Sequence, residues 1–114
     1  MIINETELIA TIRSIPDFPK EGILFRDITT LLKNADAYET LVESIAEKLR
    51  PLDVDIVIGP EARGFVIGSA VAYAVHAGFV LARKPGKLPC EVNSVSYGLE
   101  YGSDCLEIHK DAIL

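Results

Sequence analysis

Val54-Asp55-Ile56-Val57-Ile58-Gly59-Pro60-Glu61-Ala62-Arg63-Gly64 decides how this chain folds. Val54 to Ile58 is rich in β-branched residues and reads as a strand, which runs straight into a turn punctuated by Gly59, Pro60 and Gly64. Phe65 to Ala77 is apolar almost throughout and fits a helix on the far side of that turn, with Gly78 at its C′ position. Phe79-Val80-Leu81-Ala82 then reads as a second short strand. Working upstream, Tyr38, Leu41, Val42, Ile45, Ala46 and Leu49 repeat at helical spacing. Asp36 and Glu39 form a cap pair for that helix, and Pro51 closes it. Helix, strand, glycine turn, helix, strand is the alternation of an α/β fold with a parallel sheet flanked by helices.

The ends are less regular. Asn4 and Glu7 have capping-box spacing, and Leu8, Ile9, Ile12 and Ile15 make an apolar stripe stopped by Pro16, so a short amphipathic helix is expected there. Pro16-Asp17-Phe18-Pro19-Lys20-Glu21-Gly22 reads as a rigid loop, and Ile23-Leu24-Phe25 as a short extended piece leading into Arg26 and Asp27. Cys90 to Tyr101 is polar with no firm period, and Cys105 to Lys110 reads as a last strand. No repeat or low-complexity tract interrupts the chain.

With 114 residues there is room for one small domain, and 49% hydrophobic residues exclude a disordered tail. Eleven basic against 17 acidic residues leave a net charge of -6, which argues against a general nucleic-acid binder. Cys90 and Cys105 are too far apart for a CxxC motif, so two free thiols in a reducing cytosol are expected. The acidic N-terminus is no signal peptide. Residues 65–82 carry no charge, yet Gly68, Gly78 and His76 divide that run, and helix followed by strand explains it better than a membrane span. A soluble cytoplasmic protein is the expectation.

In open α/β sheets ligands collect beyond the carboxyl ends of the strands. The turn Gly59–Gly64 stands there, where a helix N-terminus and Arg63 together suit phosphate or pyrophosphate. The alternative is a plain strand-to-helix turn with a surface arginine, and pattern alone does not separate the two. Arg83-Lys84-Pro85-Gly86-Lys87 follows the next strand and sets three cations within five residues. Two cationic turns at the ends of adjacent strands favour an anion site over two unrelated turns. No Walker A loop and no GxGxxG fingerprint follows any strand. His76 and His109 lack cysteines or carboxylates at metal-ligand spacing; His76 is expected to pack within its helix, and no protein-held metal is expected. Glu100 and Tyr101 lie in the polar stretch before the last strand, where a carboxylate on a mobile loop is able to move a proton.

Four stretches in this order resemble the adenine phosphoribosyltransferases: Ile12 to Thr29, Gly59 to Phe65, Arg83 to Pro89, and Tyr97 to Gly102 with Leu106 to Ala112. The resemblance runs collinearly along essentially the whole chain. It implies a type I phosphoribosyltransferase-like parallel sheet, and displacement of pyrophosphate from phosphoribosyl pyrophosphate by N9 of adenine to give AMP. By the same resemblance Ile23, Leu24, Phe25 and Arg26 would form the adenine pocket. Glu61, Ala62 and Arg63 would meet the pyrophosphate, with Arg83, Lys84 and Lys87 adding charge from the same or a neighbouring subunit. Glu100 would handle the proton, with Tyr101 beside it. Mg2+ would arrive with the phosphoribosyl pyrophosphate, and a homodimer is implied. The nearly all-apolar helix from Phe65 to Ala77 is also expected to be buried on more than one face.

The resemblance also implies one departure. The family continues past the Leu-Glu-Ile-His-Lys-Asp-Ala stretch into a strand ending in two acidic residues and an Ala-Thr-Gly-Gly-Thr loop, for ribose and its 5′-phosphate. Neither element occurs in the 114 residues, so residues 1–114 are expected to be the N-terminal portion of a single phosphoribosyltransferase domain. The alternative is a non-catalytic relative that binds a purine or a protein partner. The isolated chain is expected to be marginally stable, swapped or aggregated, because the further strand should lie inside the sheet. As it stands, the 114-residue polypeptide is expected to make no AMP above background. Saturable AMP formation from adenine, Mg2+ and phosphoribosyl pyrophosphate would contradict this.

Overall fold

A computed structural model describes residues 3–99 and 102–113. The chain divides into two compact units, Met1–Lys48 and Leu49–Leu114.

In the first unit, helix α1 covers Glu5–Ala10, and the Asn4 side chain caps it by accepting the Glu7 N–H at 2.8 Å. The expected helix through Ile15 stops short. Thr11 Oγ1 turns back to donate to the Leu8 carbonyl at 2.6 Å, and Arg13–Ile15 becomes strand β1, antiparallel to β2 at Phe25–Asp27. A charged pair decides the competition. Arg13 lies opposite Asp27 in the register and donates through Nε at 3.0 Å and an Nη at 2.5 Å to one carboxylate oxygen. The other oxygen accepts from Thr29 N–H and Oγ1, at 2.9 and 2.7 Å. The loop between these strands is bridged internally: Asp17 Oδ1 accepts the Gly22 N–H at 2.9 Å, and Phe18 N–H reaches the Ile23 carbonyl at 3.1 Å.

A short helix α2, Thr29–Leu32, and the long helix α3, Ala35–Leu49, follow. The residue that caps α3 is Asn34 rather than Asp36. Its side chain accepts the Ala37 N–H at 3.1 Å, and Asp36 falls inside the first turn, where its charge suits the helix dipole. Leu31, Ala37 and Ala46 are buried with Thr40, whose hydroxyl accepts the Ile3 N–H at 3.3 Å. Pro51 sits in a 3-10 turn, Arg50–Leu52, that ends the helix as expected.

The second unit carries the predicted core of the fold. Strand β3 is Ile56–Pro60, helix α4 is Arg63–Val75, and strand β4 is Gly78–Ala82, parallel to β3 with Ile56 opposite Gly78 and Pro60 opposite Ala82. A side chain at Gly59 or Gly68 would collide with the Phe79 ring, 2.6 and 2.7 Å from the Cβ positions those glycines leave empty. Absence of side chains is what lets α4 lie close on the strand pair. The left-handed residue that ends α4 is His76, at φ 58°, and not Gly78. Histidine tolerates that region better than β-branched residues do. Ala77 N–H closes back on the Ala72 carbonyl at 2.8 Å, a Schellman ending that leaves His76 exposed instead of packed within the helix.

Two further differences concern exposure and length. Ile56 and Ile58 remain 38% and 44% exposed, so β3 is less buried than its apolar run implies, and α4 leaves Val66 and Tyr73 exposed on its outer side, Tyr73 by 90%. The stretch without a firm period forms strand β5, Val92–Leu99, in an antiparallel hairpin with β6, Gly102–His109, longer than the single strand expected. No described helix is long and apolar enough to cross a membrane.

The Arg13 guanidinium and the Thr29 donors hold the Asp27 carboxyl down at about 2. Because that value lies below the ordinary range near 4, Asp27 contributes stability that is complete above about pH 4 and lost as the pH falls towards 2. Acid unfolding followed by circular dichroism should show that loss, and Asp27→Asn should reduce the dependence across this window.

Candidate functional site

In the first unit, Pro16, Asp17, Gly22, Ile23 and Leu24 line a hollow of about 150 Å³. Two of the four residues expected to hold a purine are therefore on its wall. Phe25 is half-buried at the start of β2, its ring meeting Phe18 edge-on with centroids 5.1 Å apart. Such a pair presents one ring face while fixing the other. Arg26 is exposed and donates to Ser14 Oγ at 2.6 Å. It lines a different hollow, of about 350 Å³, with Ile9 and Ile12.

In the second unit the parallel register sets the two cationic turns side by side, since Pro60 and Ala82 end their strands as partners and Glu61 N–H donates to the Ala82 carbonyl at 2.9 Å. Arg63 is the first residue of α4, and Ala62 before it offers no side-chain cap. The Glu61–Ala62 peptide is cis. Glu61 turns its carboxylate onto the second loop: Oε1 accepts Arg83 Nε at 3.1 Å and the Lys84 backbone N–H at 2.7 Å. The Arg83 guanidinium also lies 5.6 Å above the Phe65 ring. Phe65 in turn meets Phe79 edge-on, with centroids 6.2 Å apart.

Glu107 of β6 reaches the same loop. It exchanges backbone bonds with Arg83, at 2.9 and 2.7 Å, and its Oε1 accepts the Gly86 N–H at 3.2 Å. Nothing in the sequence pattern marked Glu107, because it is close to Arg83 only through the fold. Lys87 is exposed, its N–H closing a turn onto the Lys84 carbonyl at 3.3 Å. Thus Glu61, Ala62, Arg63, Arg83, Lys84 and Lys87 share one unit, whereas Ile23 to Arg26 belong to the other. Glu100 and Tyr101, the expected proton-handling pair, lie outside the described residues. Among the described residues no group of three His, Cys, Asp or Glu side chains is placed to hold a metal ion.

No family model matches the chain. Individual proteins do. It is 61% identical over 102 residues to an adenine phosphoribosyltransferase of Alkaliphilus metalliredigens, a match covering 90% of this chain and 60% of that protein. The chain is homologous to the adenine phosphoribosyltransferases. Over 107 residues it is 58% identical to the adenine phosphoribosyltransferase of Pelobacter propionicus, covering 94% of this chain and 62% of that one. The crystal structure of the Thermoanaerobacter pseudethanolicus adenine phosphoribosyltransferase superposes with a TM-score of 0.89 at 53% identity, covering 96% of this chain and 63% of its own. The Giardia lamblia enzyme complexed with 9-deazaadenine gives 0.93 at 32% identity, covering 97% and 62%. The fold is therefore that of the type I phosphoribosyltransferases, and the chain spans about 60% of the length of these relatives.

The Lys84 N–H, and after it the Arg83 guanidinium, hold the Glu61 carboxyl below the ordinary glutamate range against the opposing effect of desolvation. Carboxyl-carbon NMR should find Glu61 titrating low. Arg83→Ala should raise its pKa only in part, because the Lys84 N–H stays in place; a full return to the ordinary value would contradict that ordering.

Proposed function

We propose that the chain serves phosphoribosyl transfer to adenine, with residues 1–114 forming the N-terminal portion of the transferase domain. Its substrates are adenine and phosphoribosyl pyrophosphate, the latter arriving with Mg2+. In the reaction a bond forms between N9 of adenine and the anomeric carbon of the ribose, the bond from that carbon to the pyrophosphate oxygen breaks, and pyrophosphate leaves with the electron pair. The observation that carries this reading is the pairing of the β3–α4 turn with the Arg83–Lys87 loop at the ends of parallel strands, in a chain homologous to adenine phosphoribosyltransferases.

Each residue has a stated task. Ile23 and Leu24 wall the base pocket, Phe25 stacks on the purine, and Arg26, which lines the separate hollow with Ile9 and Ile12, reaches the base only from the far end of this stretch. Glu61 and Ala62 shape the turn from which Arg63 and the positive end of α4 meet the pyrophosphate. Arg83, Lys84 and Lys87 add charge from the neighbouring loop. Charge grows on the leaving group as the bond to carbon breaks, so these cations act where the transition state differs most from the ground state. Glu100, with Tyr101 beside it, takes the proton that N9 gives up. The exposed outer stripe of α4, with Val66 and Tyr73, supports pairing of two copies as a homodimer.

Calorimetric titration tests the two halves separately. The chain should bind pyrophosphate with Mg2+ saturably, and Arg63→Ala should weaken it roughly tenfold or more, as loss of a charge-assisted contact does. Phe25→Ala should weaken adenine while leaving pyrophosphate affinity within about twofold, sites without shared partners being close to additive. Absence of saturable binding for both ligands would overturn the reading.

A further inference from the structure

Arg83, Lys84 and Lys87 crowd three like charges into one short loop, which would splay apart unless something held it. Two carboxylates hold it from different elements. Glu61 fixes its start, through Arg83 Nε at 3.1 Å and the Lys84 N–H at 2.7 Å. Glu107 fixes its middle from β6: Oε1 accepts the Gly86 N–H at 3.2 Å, while Oε2 is steadied by Ser94 Oγ of β5 at 2.9 Å. Gly86 itself sits at φ 79°, a conformation that presents its N–H to Glu107 at little steric cost. Both acidic groups therefore bond the loop's backbone, and Glu61 pairs with the Arg83 guanidinium as well.

Placing two anions beside a site for an anion weakens that site by Coulomb repulsion alone. Their presence needs another reason, and the bonds supply one. We propose that Glu61 and Glu107 are positioning residues of the pyrophosphate site, two carboxylates that set the shape of the Arg83–Lys87 loop without touching the ligand; this rests on the phosphoribosyl-transfer reading above. Glu107 has a second consequence. It belongs to β6, which with β5 flanks positions 100 and 101 in sequence, so it links the cationic loop to the hairpin strands on either side of the proposed proton-handling pair.

The sign of an affinity change separates positioning from charge. If the carboxylates act only through their field, Glu107→Ala and Glu107→Gln tighten pyrophosphate binding equally. If they position the loop, Glu107→Ala binds roughly tenfold more weakly, whereas Glu107→Gln, whose amide oxygen still accepts from Gly86, stays within about threefold of the unaltered chain. Glu61→Ala should likewise weaken binding roughly tenfold. Ser94→Ala, which changes no charge and lies on an exposed strand residue, should give a smaller loss in the same direction and guards against a variant that fails to fold. Amide hydrogen exchange reads the clamp without any ligand: Lys84 should exchange faster in Glu61→Ala, and Gly86 faster in Glu107→Ala. Equal tightening in both Glu107 variants, or unchanged exchange at both amides, overturns the proposal. An unaltered chain that binds neither pyrophosphate nor adenine overturns the phosphoribosyl-transfer reading and ligand positioning with it; one that binds adenine but no pyrophosphate overturns the pyrophosphate site and its positioning. One that binds pyrophosphate, while Glu107→Ala binds as well or better, overturns positioning alone.

Discussion

The close seating of α4 on the β3–β4 pair is the constraint on which the second unit depends. Phe79 fills the space that side chains at Gly59 and Gly68 would need, and it meets Phe65 edge-on from the same position. Phe65 then offers a ring face beneath the Arg83 guanidinium, and Glu61 takes Arg83 at Nε. A steric fact about two glycines is in this way passed through two aromatic rings to the orientation of a cation. A methyl group added at Gly59 or Gly68 would not only overpack the interface; it would press on Phe79, the ring that Phe65 meets edge-on beneath Arg83.

The two units use one electrostatic device in different places. Asp27 binds Arg13 together with a backbone N–H, that of Thr29; Glu61 binds Arg83 together with the N–H of Lys84. Each carboxylate is kept ionised because its donors favour the charged form more than desolvation opposes it. In the first unit the pair fixes the β1–β2 register next to the loop with Ile23 and Leu24. In the second it fixes a cationic loop at a strand end. Within a chain of net charge -6, acidic groups thus serve to place basic ones.

How much of this was legible in the sequence follows from how local each feature is. The segment from Ile56 to Ala82 was readable, because β-branched residues, a glycine turn and an apolar helical run are all signals carried by neighbours. The β1 strand was not: the spacing of Leu8, Ile9, Ile12 and Ile15 fits a helix, and only the bond from Arg13 to Asp27 pulls the chain into a ladder. Of the β5–β6 hairpin only the later part of β6, from Cys105, was readable, and β5 was not. Its described β5 side chains beyond Val92 are exposed, so no face imposes an alternation to mark the strand, although its partner β6 follows directly in the chain. Asn34 and Asp36 are both good caps, and composition could not choose between them. The cations of the candidate site were visible as residue types. The carboxylates that arrange them were not, since Glu61 looked like part of the anion cradle and Glu107 like an ordinary strand residue.

That arrangement bears on where binding energy is useful. A site made only of cations would hold pyrophosphate tightly before and after bond cleavage, which lowers the barrier little and slows release. In the proposed site Glu61 and Glu107 would subtract from the general attraction while their bonds to Arg83, Lys84 and Gly86 hold the loop in one geometry. What remains is attraction that depends on where the charge sits rather than on how much there is. On the proposed phosphoribosyl-transfer reading, such a loop would favour a leaving group whose oxygen is gaining charge as it parts from the anomeric carbon over one still bonded to the ribose, and a loop with the same cations but without its carboxylates would lose that preference even as its overall field grew stronger.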